Sequence, residues 1–122
     1  MKKYRNKKCK IGEYSYDSIG EAKRHQQLQL MERAGLIRDL KFQTKITLLD
    51  SFKYNSKCIR GITYRPDFEY FEKNTNGNWV RVIEDFKGFR NEVYNIKKKF
   101  VLNSIKDDLN TIFRESDQTF LC

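Results

Sequence analysis

Asp67, Asp85 and Lys87 are the residues of this chain whose types and spacing could do chemistry. They lie in "YRPDFEYFE" and "VIEDFKGF", two strand-like runs separated by the turn signal Thr75-Asn76-Gly77. Side chains alternate along a strand, so Asp85 and Lys87 share one face while Glu84 and Phe86 share the other. A three-residue loop with Gly77 in the left-handed position sets Asn74 against Asn78. Asp67 then lies directly opposite Asp85, with Cβ atoms roughly 4.5–5.5 Å apart. A two-residue loop would instead place Asp67 across from Phe86, beside Glu84. Two facing carboxylates repel, so the pair holds a proton, splays apart or binds a cation. Hard oxygen donors of this kind suit Mg²⁺ or Mn²⁺. Lys87, one pleat beyond Asp85, could orient a water or neutralise a developing phosphorane charge. That is equipment for hydrolysing a phosphodiester. Spacing alone also allows a plainer reading, in which Asp85 and Lys87 form an ion pair on a solvated strand and Asp67 caps a strand after Pro66.

The elements that must position these residues can be read on either side of them. Ser18 with Glu21 three residues on is a capping-box pattern, and Gly35 is a stop, which predicts a helix from about 18 to Ala34 with Leu28, Leu30, Met31 and Ala34 on its apolar side. Residues 41–49 and 57–71 read as strands, and 78–87 as the strand returning from the turn. A second helix is expected over about 91–104, with Val93, Ile96 and Phe100 inward and Lys97, Lys98 and Lys99 mostly outward. "TIFRES", 111–116, reads as a last strand. The order is mixed α/β: a mixed sheet flanked by helices. His25, one turn after Glu21, reads as a lone surface histidine. Gln43 is a candidate wall of the site, and Glu69, in alternation with Asp67, either supports it or faces solvent.

Length and charge bound the partners. At 122 residues the chain is expected to form one domain, with residues 1–10 a basic arm. Its 25 Lys and Arg against 16 Asp and Glu give a formal charge of +9, which points to nucleic acid before anionic membrane. No apolar run is long enough to span a membrane, and no apolar stretch follows the basic start, so neither a membrane segment nor a signal peptide is expected. Cys9, Cys58 and Cys122 are odd in number and widely spaced, which fits ordinary thiols in a reducing cytoplasm. Lys97, Lys98, Lys99 and Arg90, with Lys7 and Lys8 of the arm, are candidate phosphate contacts, and Arg81 could reach the same groove. No segment looks like a helix built to read bases, so backbone or shape recognition is expected.

Pro66-Asp67 followed by Asp85-Phe86-Lys87 resembles the PD-(D/E)XK nuclease signature, and "YDSIGEAKRHQQLQLMERAGLI" and "VIEDFKGFRNEVYNIKKKF" match its flanks. Together they resemble small phage-encoded endodeoxyribonucleases of that superfamily, often described as Holliday-junction-resolvase-like, over about Tyr4 to Val101. The resemblance implies a restriction-endonuclease-like core and a metal-dependent endonuclease acting on DNA, with branched intermediates of phage recombination or replication as its substrates. It implies that Asp67, Asp85 and the Phe86 carbonyl hold Mg²⁺ or Mn²⁺, that Lys87 serves the water, and that Glu21 is a further catalytic acid, although Glu21 is also accounted for as the capping partner of Ser18. A homodimer in the host cytoplasm follows from the same class, since two cuts must be placed across a junction. The alternative is a non-catalytic nucleic-acid-binding module that keeps the fold, and an RNA-cutting nuclease would share the chemistry.

Overall fold

The computed structural model describes residues 9–86 and 91–121. In chain order these form β1 (Cys9–Ile11), β2 (Tyr14–Tyr16), α1 (Ile19–Arg33), β3 (Ile37–Phe42), β4 (Ile46–Leu49), β5 (Phe52–Tyr54), β6 (Lys57–Ile59), β7 (Ile62–Tyr64), β8 (Phe68–Lys73), β9 (Trp79–Phe86), α2 (Glu92–Ile105) and β10 (Thr111–Ser116). A 3-10 turn, Gln118–Phe120, follows. Among the described residues no helix is long and apolar enough to cross a membrane.

The first helix begins and ends where the sequence places it. Ser18 is the N-cap, and its hydroxyl accepts from the Glu21 N–H at 3.1 Å. Glu21 reaches back one residue further than a capping box requires, to the Asp17 N–H at 2.7 Å. At the other end Gly35 adopts φ +80°. The Leu36 N–H bonds the Met31 carbonyl and the Gly35 N–H bonds that of Glu32, a Schellman closure.

A four-stranded sheet in the order β10-β9-β8-β3 forms the centre. β3, β8 and β9 are antiparallel, and β10 lies parallel to β9 after the α2 crossover. α1 covers one face through Leu28, packed with Ile37, Phe68, Tyr70 and Val82. Ile83, next along β9 and so on the opposite face, packs with Val101 of α2 and with Tyr64. The fold is therefore a mixed sheet between two helices, with β9 buried on both sides.

Three expectations need correction. Residues 41–49 form two strands, because Gln43 takes φ +55° and turns the chain out of the central sheet. Residues 57–71 form three: the chain breaks at Gly61, where a Cβ would stand 2.2 Å from the Leu49 carbonyl oxygen, and again at Arg65-Pro66. The second helix is turned about its axis relative to the expected face. Val93, Ile96 and Phe100 are 57%, 54% and 49% exposed, whereas Val101 is buried. The stripe that meets the sheet is Tyr94, Lys97, Lys98 and Val101, at helical spacing but half polar. Its polarity is balanced locally: Glu115 of β10 accepts from both the Tyr94 hydroxyl (2.7 Å) and Lys98 Nζ (2.9 Å).

Candidate active site

The β8–β9 turn settles the register. Gly77 has φ +81°, its N–H bonds the Asn74 carbonyl, and the Asn74 N–H bonds that of Asn78, so the loop has three residues. Lys73 pairs with Trp79 and, at the far end, Phe68 with Glu84. One step on, Asp67 and Asp85 come together. The Asp67 N–H donates to Asp85 Oδ1 at 3.1 Å, and the Phe86 N–H donates to Asp67 Oδ2 at 2.8 Å. The two acids thus continue the ladder with side chains where the backbone bonds stop. The Gln43 N–H donates to the Asp67 carbonyl at 3.0 Å, so Gln43 is fixed beside the site by its backbone.

Glu21 joins this pair because α1 can approach the end of β9. A Cβ on Gly20 would lie 2.8 Å from Phe86 Cε1, so the first helical turn rests on that ring with no room for a larger residue unless the ring moves. Glu21 is buried, and its Oε2 has no hydrogen-bond donor. Burial first, then the neighbouring Glu21 carboxyl, push the Asp67 carboxyl up to about 9, against the pull of the Phe86 N–H and with a smaller push from Asp17. No ion pair with a described cation relieves either Asp67 or Glu21. The structure therefore crowds carboxyl groups at the strand end so that Asp67 keeps its proton in the absence of a cation, which fits a site where a cation would displace that proton. Among the described residues no three His, Cys, Asp or Glu side chains converge on a common point. One oxygen of each aspartate accepts from a backbone N–H.

The other predicted residues divide. Lys87 and Arg90, and Lys7 and Lys8, lie outside the described residues. Lys97 is half-buried in the α2 stripe, Lys98 is held by Glu115, and Lys99 is exposed. Glu69 accepts from the Thr44 hydroxyl at 2.9 Å and pairs with Arg81, so both residues are engaged with each other on the sheet and neither lines the acidic pair. His25 is not on the surface: it is 2% exposed, stacked on Phe42 and bonded through Nδ1 to the Tyr16 hydroxyl at 2.7 Å. Burial lowers its proton affinity.

Sequence reasoning missed the buried network on the reverse face of β9. Glu84 is fully buried and takes a two-pronged contact from Arg24, at 2.7 and 2.9 Å, with further bonds from the Tyr70 and Ser116 hydroxyls. Arg114 extends it by bonding the Tyr70 hydroxyl and both oxygens of Glu72. Burial alone would raise the Glu84 carboxyl, but the Arg24 guanidinium together with the Ser116 and Tyr70 hydroxyls outweighs it and holds the group below its ordinary range. The signal available in the sequence was the helical spacing of Glu21, Arg24 and Leu28, which puts a cation on the inward side of α1.

Over residues 1–118 the chain matches the family described as "Protein of unknown function (DUF1064)". The chain belongs to that family. No curated protein matches it, and neither does any solved structure. The family match spans the acidic pair, Glu21, the Arg24–Glu84 network and both helices, so these features sit within one family unit.

Proposed function

We propose that this protein is a metal-dependent endodeoxyribonuclease with a restriction-endonuclease-like core, acting on branched DNA. The observation that supports it most is the meeting of Asp67 and Asp85 across the end of the β8–β9 hairpin, with Glu21 brought over by the Gly20–Phe86 approach. Asp67, Asp85 and the Phe86 carbonyl would hold Mg²⁺ or Mn²⁺, and the donor-free Glu21 Oε2 fits a fourth oxygen donor. The cation would supply Lewis-acid stabilisation of the phosphoryl oxygens and a more acidic water. Asp67 and Asp85 orient the ligand set, and releasing the proton held near Asp67 readies it. Lys87 is assigned to the attacking water by its place in the D-x-K signature. The net charge of +9 supports a polyanionic substrate. Two copies acting across a junction are part of the proposal.

The test is cleavage of a labelled four-way junction and a matched linear duplex, in Mg²⁺ or EDTA, by wild type, Asp85→Asn and Lys87→Ala. Metal-dependent cutting of the junction that both substitutions abolish is the expected result. Equal cutting of both substrates keeps the chemistry and removes the junction preference. Tight binding with no cutting in any metal establishes the non-catalytic binding module instead. Light scattering with and without DNA decides the dimer, and a strictly monomeric protein argues for a nicking enzyme.

A further inference from the structure

The β5–β6 hairpin is the part of the molecule that the site does not absorb. Every residue from Leu49 to Arg60 is exposed, including Phe52, Tyr54 and Ile59 at 45%, 66% and 38%. β5 and β6 pair with each other alone, Phe52 with Ile59 and Tyr54 with Lys57. Two residues close the turn, Asn55 and Ser56, both at positive φ (51° and 66°), the geometry that matches the twist of a tight hairpin. A two-stranded ribbon with no covering layer is marginal in water, and its aromatic residues buy no core. At its base Gly61 passes so close to the Leu49 carbonyl that no side chain would fit. From there β7 runs directly through Arg65 and Pro66 into Asp67.

Its charge identifies what it fits. From Ser51 to Pro66 the chain has no acidic residue and carries Lys53, Lys57, Arg60 and Arg65. Paired residues of a hairpin share a face, so Tyr54 and Lys57 stand together at the tip, above Phe52 and Ile59, while Lys53 projects from the other face with Cys58. An exposed aromatic ring flanked by cations is the arrangement that stacks on a base while neighbouring ammonium groups meet phosphates. The absence of acids suits a polyanionic partner, and a two-stranded ribbon is of a size that enters the major groove.

We propose that the β5–β6 hairpin is a nucleic-acid wing, in which Tyr54 stacks on an unpaired or exposed base and Lys53, Lys57 and Arg60 contact phosphates. The identification of the nucleic acid as DNA rests on the proposed nuclease function. Binding of a labelled four-way junction, a gapped duplex and a linear duplex is followed by fluorescence anisotropy in EDTA, where nothing is cut. Tyr54→Ala is expected to weaken binding to the gapped and branched forms about tenfold, with a smaller loss on linear duplex. Tyr54→Phe is expected to keep the affinity, since the ring and not the hydroxyl does the stacking, and it separates lost stacking from a collapsed hairpin. Lys53→Gln with Lys57→Gln is expected to reduce the slope of log affinity against log salt by about 2, one for each lost phosphate contact. Circular dichroism checks that each variant is folded. Wild-type affinity and salt slope in these variants, or Tyr54→Phe as weak as Tyr54→Ala, overturn the wing. If they bind as wild type while Asp85-dependent cutting persists, the wing fails and the nuclease stands. Hairpin-dependent binding without cutting in any metal keeps the wing and removes the nuclease. Association with anionic vesicles and not with any DNA overturns the wing by giving the charge another partner.

Discussion

Replacing Asp67 with Asn is expected to stabilise the metal-free protein at alkaline pH, although it removes a residue at the centre of the proposed site. The carboxyl has an ordinary value of 3.8 and is raised to about 9 in the folded chain by burial and by Glu21. A raised acid favours folding only while it is neutral. Its contribution is fully present below about pH 4 and is lost progressively as the pH rises towards 9, because the unfolded chain gives up the proton and the folded chain must keep it. Each unit in that window is worth about 1.4 kcal/mol per group, so between pH 4 and 7 the upper bound is about 4 kcal/mol. Asp67 is half-buried, and water at its exposed side brings the expected value to about 2 kcal/mol. Asn has no proton to keep and retains an oxygen for the Phe86 N–H.

The assay is urea unfolding in EDTA at about pH 5, 7 and 8.5, comparing wild type with Asp67→Asn and Glu21→Gln. The difference between wild type and Asp67→Asn should grow with pH, in favour of the variant. Glu21→Gln should flatten the wild-type slope in part, because it removes the second cause of the shift. Added Mg²⁺ or Mn²⁺ should stabilise wild type at pH 8.5 and leave Asp67→Asn unchanged. An Asp67→Asn protein destabilised by the same amount at every pH refutes the reasoning, since it would show the aspartate acting only as a hydrogen-bond acceptor.

Arg24→Met should destabilise by about 3–5 kcal/mol in urea unfolding, because it strands the Glu84 charge in a fully buried position; a loss under about 1 kcal/mol means that Glu84 is not ionised there. Gly20→Ala should lower stability by about 1 kcal/mol despite alanine's better helix propensity, since the new Cβ would meet Phe86 at 2.8 Å; a rise in melting temperature refutes the close approach. His25, kept neutral by burial, favours folding above about pH 6.5 and loses that contribution as the pH falls through its lowered value. His25→Phe should therefore remove up to about 1.4 kcal/mol of the decline between pH 6.5 and 5.5, read from paired unfolding curves, and identical declines in both proteins refute it.

Local chemistry was legible in the sequence, and polar burial was not. Ser18 and Gly35 each specify their own backbone geometry within a few residues, so the helix bounds followed directly, while the Asn74–Gly77 turn narrowed the hairpin to two registers, of which the structure has the one that joins Asp67 to Asp85. The inward face of α1 was blurred because three of its buried positions are Glu21, Arg24 and His25, which an apolar pattern does not score. Leu30, counted on the apolar side, is 60% exposed. The same confusion turned α2: its most apolar row faces outward, and the row that packs contains two lysines. Glu84 was invisible as a buried ion because its partner, Arg24, lies 60 residues away, and no local rule connects them. Residues 84 and 85 were at least separated by the alternation, which put them on opposite faces.

That alternation sets two electrostatic arrangements on one strand. On the α1 face Glu84 is desolvated and then given a guanidinium and two hydroxyls, so its charge is held below the ordinary carboxylate range. On the other face, Asp67 beside Asp85 is partly desolvated and given Glu21 and Asp17, two further acids, so its charge is opposed. Both arrangements are anchored by the same helix, through Arg24 and Glu21 one turn apart, and both act at the last residues of β9. A buried ion pair adds little stability over a well-packed apolar substitute, so stability alone does not explain Arg24–Glu84. The role expected for it is positional: it ties the first turns of α1 to the end of β9 and so keeps Glu21 against Asp67. The double substitution Arg24→Met, Glu84→Leu separates these roles. It should recover most of the stability lost in Arg24→Met alone while reducing the pH dependence that Glu21 imposes on Asp67. Recovery of stability with that pH dependence intact would show that the clamp does not position the site.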